Sequence, residues 1–99
     1  LAVSHYADAI YHAYSSFVNA AKAMLLDKGI NSSTQIGVIR EFSSQYANEF
    51  VYPGFADFET LVMQINKEEP SQAFAERYIQ SASQFIEQVN AKREELLQL

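Results

Sequence analysis

The sequence lacks cysteine and tryptophan altogether and has only three glycines and two prolines in 99 residues. Without cysteine, the chain forms no disulfide, no cysteine-ligated zinc or iron–sulfur centre and no thiol nucleophile of its own. Turn residues this sparse do not suit a sandwich or barrel, which needs Gly, Pro or Asn about every ten residues. A few long elements are implied instead. No apolar run approaches the roughly 18 residues of a membrane-spanning helix, and no basic segment followed by an apolar core opens the chain. A soluble, cytoplasmic protein with no membrane partner is the expectation.

Positive charge is also scarce. Seven basic residues face twelve acidic ones, for a net charge of −5. The basic residues are scattered over Lys22, Lys28, Arg40, Lys67, Arg77, Lys92 and Arg93, and the only adjacent pair is followed by Glu94 and Glu95. No stripe exists to neutralise phosphates, so nucleic acid is not an expected partner. What the chain does have is apolar bulk, 48% of its residues, including seven Phe and six Tyr. A chain of this length makes one domain that buries roughly 60 to 70% of the surface its unfolded form exposes. It opens on Leu1 rather than Met and enters a helical pattern almost at once, which reads as a domain cut from a longer polypeptide.

Apolar spacing predicts four helices. From Ala2 to Lys28, steps of three and four link Val3, Tyr6, Ala7, Ile10, Ala13, Tyr14, Phe17, Val18, Ala21, Met24 and Leu25. Gly29, after a cation in the last turn, ends this helix. Ser32 and Gln35 have capping-box spacing for a second helix running to about Phe50, with Ile36, Ile39, Phe42, Ser43, Tyr46, Ala47 and Phe50 inward. The Pro53-Gly54 pair marks a turn. A short third helix spans about 56–66, with Phe55, Phe58, Leu61, Val62 and Ile65 on its apolar face. Pro70 suits the first position of a fourth helix, from about Ser71 to Leu97, built on Phe74, Tyr78, Ala82, Phe85, Ile86, Val89 and Leu96. Short connections favour an all-α, antiparallel up-down four-helix bundle whose first and last helices are long.

Few residues suggest chemistry. His5, Asp8 and His12 share a polar stripe of the first helix with Ser15, Asn19 and Lys22. The two histidines are two turns apart, roughly 10 Å along the axis, whereas zinc draws its ligands to about 2 Å and prefers an i, i+4 pair. A solvated or interface-facing stripe is the better account. His12 near Ser15 or Ser16 has no recognisable oxyanion hole and no orienting group. Glu68 with Glu69, and Glu94 with Glu95, are adjacent and therefore diverge, which suits a solvated face rather than acid–base work. Gly37, inside a helix where glycine costs about 1 kcal/mol against alanine, implies close approach of a neighbouring helix.

Taken together, these segments resemble HEPN domains. Tyr6 to Gly29 is similar to the Tyr/Ala-rich opening helix of that family. Thr34-Gln35-Ile36-Gly37, followed by Phe42, is similar to its Thr-His-x-Gly-x-x-x-x-Phe motif. Ala75, Ile79, Ala82, Phe85 and Ile86 fall in the spacing of its last helix. The resemblance implies a HEPN-like four-helix bundle over residues 1–99. HEPN ribonucleases use an Arg-x(4–6)-His motif across a dimer. Here no histidine follows His12, Arg40 has Gln45 at the relevant distance, the usual motif region near the end of the third helix reads Gln64-Ile-Asn-Lys-Glu-Glu69, and Gln35 stands where many relatives have histidine. The resemblance therefore implies no nuclease activity and no catalytic residues.

More narrowly, Tyr11 to Gln35 resembles the C-terminal HEPN-like appendage of bacterial sulfite/nitrite reductases. That implies an accessory domain without cofactor of its own, the sirohaem and iron–sulfur cluster lying elsewhere in the parent. The expected function is a non-catalytic interaction domain that self-associates as a homodimer or docks to parent reductase domains. The alternative is a small-ligand or nucleotide-binding domain with a pocket between helices. A partner surface should expose apolar residues that the bundle cannot bury. Tyr11, Phe50, Tyr52 and Phe55 are the candidates.

Overall fold

A computed structural model describes the backbone of residues 2–97 and the side chains of residues 5–97. Val3, one of the apolar positions named above, thus has its side chain outside the described residues. The elements are α1 (Ala2–Asp27), α2 (Gln35–Gln45), α3 (Phe58–Val62) with a 3-10 extension (Met63–Asn66), and α4 (Gln72–Leu97). The four-helix bundle with long first and last helices is what the chain forms, and no strand occurs among the described residues.

The ends of α1 and α2 follow local chemistry. After α1, Gly29 takes φ +76°, Gly29 N–H donates to Leu26 O at 2.9 Å and Ile30 N–H to Leu25 O at 2.9 Å. That is the Schellman closure a left-handed glycine permits. At α2 the cap is Thr34, not Ser32: its hydroxyl accepts from Gly37 N–H at 2.9 Å. A Cβ on Gly37 would run into the Ser32 and Thr34 hydroxyls. Glycine is needed there by the cap loop folding back on it, not by a neighbouring helix. Before α4, Ser71 caps by accepting from Phe74 N–H at 3.1 Å, which leaves Pro70 one residue ahead of the cap.

Helix α2 stops at Gln45, five residues short of the expected end. In a continued helix Tyr52 would sit about 200° around from Phe50. The chain instead leaves the helix at Tyr46 and buries Tyr46, Phe50 and Tyr52 together. The register inside α2 also differs from expectation. Val38, Ile39 and Phe42 are buried, while Ile36 and Ala47 are exposed and Ser43 is intermediate. Similarly, Leu96 of α4 is 44% exposed.

Within the bundle, α1 and α4 lie side by side in the same direction, where strict up-down alternation would oppose them. Tyr6 Oη donates to Gln72 Oε1 at one end (3.4 Å), and Arg93 Nε donates to Asp27 Oδ2 at the other (2.8 Å). The reversal falls on chain that is only partly helical. Residues 46–68 run down α4 from its C-terminal half: Glu49 pairs with Lys92 at 3.0 Å, Gln88 bonds both N–H and C=O of Val51 at 2.9 Å, Tyr78 Oη donates to Val62 O at 2.7 Å, and Arg77 donates to Glu68 at 2.9 Å. The core lies under this cover. Phe85 sits at centroid distances of 4.8 Å from Phe58, 5.4 Å from Phe42, 5.6 Å from Phe50, 5.8 Å from Phe17 and 6.4 Å from Tyr52. Tilted and edge-on pairs of this kind add about 0.5 to 1.5 kcal/mol each beyond area burial.

Candidate functional site

The cover of α2 and residues 46–68 occupies one side of the α1–α4 pair and leaves the other side open. Along that open side runs a shallow groove of about 290 Å³, lined by Ala9, His12, Ala13 and Ser16 of α1 and Ile79, Ala82, Ser83 and Ile86 of α4. Helical spacing explains the lining. Ala9, Ala13 and Ser16 recur at steps of four and three, as do Ile79, Ala82, Ser83 and Ile86 on α4. Ala13 and Ala82 are 6% and 4% exposed and form the floor, while Ile79 at 41% forms an apolar wall. Ser16 Oγ donates back to His12 O at 3.0 Å, so its polarity is spent on its own helix. The groove is apolar in its centre and bordered by exposed polar groups.

His5, Asp8 and His12, the polar stripe, are exposed along the α1 border of this groove. They do not converge on a shared point, and no group of three or more His, Asp or Glu positioned to hold a metal ion occurs among the described residues. Of the adjacent carboxylates, Glu68 is taken by Arg77, and Glu94 and Glu95 face solvent.

The candidate interface residues separate. Tyr11 is 56% exposed and stacks on Tyr14 at 6.2 Å. Tyr14 in turn donates to Gln35 Oε1 at 3.2 Å, so Tyr11 stands on the α2 side of α1, away from the groove. Phe50 and Tyr52 are each 8% exposed and belong to the aromatic core, because the chain bends after α2 to cover it. Neither is a surface residue. Phe55 is half-buried and lines a second cleft of about 300 Å³ between residues 53–68 and α4, with Leu61, Gln64, Phe74 and Arg77. The groove on the open side escaped the sequence reading because most of its lining is alanine and serine, and its large apolar residues, Ile79 and Ile86, fit a helix periodicity that reads as core. Nothing in a run of alanines and serines marks a surface until the helices are paired.

Burial raises the Tyr78 and Tyr52 hydroxyls above their ordinary range, which keeps both protonated. The Tyr78 proton serves Val62 O and thereby ties α4 to the end of α3. Asp57 is held below the usual carboxylate range by the Thr60 backbone N–H it accepts from as the α3 cap. At the far end of the bundle, Glu49 raises Lys92, and Lys28 lies 4.2 Å above the Tyr46 ring. Gln35, Arg40 and Gln45 are each held in side-chain contacts on the surface of the bundle. Gln45 donates to Glu41 at 3.2 Å, Arg40 faces Glu59 at 3.7 Å, and Gln35 accepts from Tyr14.

The chain is 27% identical to "Putative toxin MJ0605" of Methanocaldococcus jannaschii, over an alignment covering 93% of this chain and 74% of that protein. No family model matches the chain. No solved structure matches it. No helix among the described residues is long and apolar enough to cross a membrane.

Proposed function

We propose that this chain is a HEPN-like interaction domain without nuclease chemistry, acting by docking its paired long helices on another helical surface. The observation that carries this reading is the open α1–α4 groove: an apolar centre with a floor of small residues, on the side of the bundle that no other element among the described residues covers. Such a floor lets another backbone approach closely. The missing histidine supports the non-catalytic half. Gln45 stands at the motif distance from Arg40, and residues 64–69, the usual motif region, contain no histidine either; Gln45 and Arg40 are both engaged in side-chain contacts on their own surface. Similarity to a protein named as a toxin is consistent with HEPN ancestry, since that family includes RNA-cleaving toxins. The comparisons lend nothing to a reductase parent, so the proposal rests on the domain alone, with no cofactor of its own.

RNA cleavage by the purified chain tests this reading. The expected outcome is no cleavage above buffer. Cleavage that persists through purification and disappears in His12→Ala would overturn it. A second reading, small-ligand binding, draws on the cleft under Phe55. Its apolar floor of Leu61 and Phe74 and its border of Gln64 and Arg77 resemble ligand sites, though its volume is at the lower end of the ~300–1,000 Å³ they occupy. Thermal-shift screening with nucleotides and sulfur or nitrogen oxyanions checks it, and stabilisation by none of them counts against it.

A further inference from the structure

We infer that the cleft under Phe55 takes an extended peptide segment of a partner protein, gripped by side-chain amides of α4 in the way that Gln88 grips Val51. This rests on the second reading above only in that the cleft holds a ligand. It goes beyond that reading in replacing a small anion by a peptide backbone that carries one large apolar side chain. The cleft lies on the other side of α4 from the open groove, so the two sites are independent.

The template is internal. Gln88 donates to Val51 O and accepts from Val51 N–H, both at 2.9 Å, which is the pair of bonds a neighbouring strand makes to one residue of an antiparallel ladder. In an extended chain the next such pair on the same side belongs to the residue two places on, about 6.6 Å away, while a residue four places back along a helix is about 6 Å away. Gln84 therefore stands level with the second pair. In this chain the residue two places after Val51 is Pro53, which has no N–H to give. The backbone also turns off there, with Gly54 at φ +87° and Phe55 N–H donating to Tyr52 O at 2.8 Å. Gln84 is exposed at that level, lines the cleft with Pro53, and bonds to no described residue through its amide.

The same turn opens the space. The cover is tied to α4 at Gln88 by Val51 and again at Arg77, which donates to Glu68 at 2.9 Å. Arg77 and Gln88 are eleven positions apart, hence about 16 Å, room for four or five residues of extended chain. Between the ties, Gln80, Ser81 and Gln84 line the α4 side, and Phe55, Leu61 and Phe74 supply an apolar surface for one leucine- or phenylalanine-sized side chain. Charge argues against an anion. Arg77 is the one cation among the described lining residues, and it is committed both to Glu68 and to the Phe74 ring, 5.9 Å away. A peptide backbone is neutral, and glutamine matches it donor for acceptor.

NMR titration of the isotope-labelled full chain tests this, with the acetylated and amidated pentapeptide Ser-Ala-Leu-Ala-Ser as probe. The peptide should shift the side-chain amide signals of Gln80 and Gln84 and saturate in the low millimolar range. Replacing its leucine by alanine should weaken binding at least tenfold. Methylating each peptide nitrogen in turn should weaken it about three- to tenfold at alternate residues only, since an extended chain turns every second N–H toward α4. Gln84→Glu, which keeps the size of the side chain and removes its donor, should weaken binding by a similar factor. Gln84 is exposed, so this variant should keep its helical circular dichroism.

Gln80 and Gln84 amide signals that do not move with the leucine peptide overturn the inference. So does binding indifferent to Gln84→Glu, or weakened by methylation without alternation. Shifts confined to Ala13, Ile79 and Ile86 would put the peptide in the open groove and overturn it as well. Phosphate, sulfate and adenosine monophosphate are titrated in parallel. If one of them moves the Gln84 amide and the peptide does not, the cleft is a ligand site with a different occupant, so failure of the inference is distinguishable from failure of the reading it rests on.

Discussion

The two long helices present opposite characters on their two sides. Toward α2 and residues 46–62 they contribute Phe17, Tyr78 and Phe85 to a sealed aromatic cluster with Phe42, Phe50, Tyr52 and Phe58. On the open side the same helices offer Ala9, Ala13, Ser16, Ala82 and Ser83. Large rings bury much area within one chain and hold the fold alone. Small side chains bury little by themselves and become useful only when another backbone comes close. The difference teaches that one side of the helix pair holds the fold, while the other is built of side chains that bury little within the chain.

Substitutions on the two sides should therefore separate cleanly, and the largest effect belongs to the ring cluster. Phe85→Ala removes the ring that meets five others and should cost about 3 to 5 kcal/mol in urea unfolding, enough to threaten folding of a domain this small. A cost under about 1 kcal/mol would break the comparison. Tyr78→Phe keeps the ring but leaves Val62 O without its donor; a loss of roughly 1 to 3 kcal/mol is expected, measured by the same titration.

A smaller effect should come from the α3 cap. Asp57→Ala removes the acceptor for Thr60 N–H, at 2.8 Å, and should cost about 1 kcal/mol. The folded carboxyl is held below its unfolded value, so its contribution is present above the unfolded pKa and is lost as pH falls through the folded one. The difference between wild type and Asp57→Ala should thus be full at neutral pH and shrink below about pH 4. A difference independent of pH would assign the cap to something other than the ionised carboxylate. Least of all, Ile79→Gln on the open side should leave unfolding free energy within about 0.5 kcal/mol. Urea unfolding followed by circular dichroism checks this, and a loss approaching that of Phe85→Ala would show that the open side also holds the fold.

Much of the fold was legible in the residues. Period-3.6 spacing found α1 and α4, and the Gly29 cap and the Pro53-Gly54 break were read from residue type, because these are local effects of periodicity and backbone freedom. The less periodic middle of the chain was not legible in the same way. Ile36 and Val38 are equally apolar, and only packing against α1 decided that Val38 goes in. Phe50 was expected both inward on the second helix and, with Tyr52, as a surface aromatic beside a turn; the chain bends there so that both become core, which bears out the inward reading of Phe50. Of the candidate interface residues, only Tyr11 is an exposed surface residue. The open groove was invisible because alanine and serine carry no signal of their own.

By itself, the sequence determined helical class, the two long helices, and the absence from these 99 residues of any cysteine and of any histidine after His12. Each of these is fixed by which side chains exist and how they are spaced along one helix. Only the tertiary structure decided that α1 and α4 run in the same direction, and which side of them the aromatic cover would take. Those depend on where residues 46–68 can bury four rings, Tyr46, Phe50, Tyr52 and Phe58, and satisfy their backbone groups together, a balance struck across the whole chain rather than within any one segment.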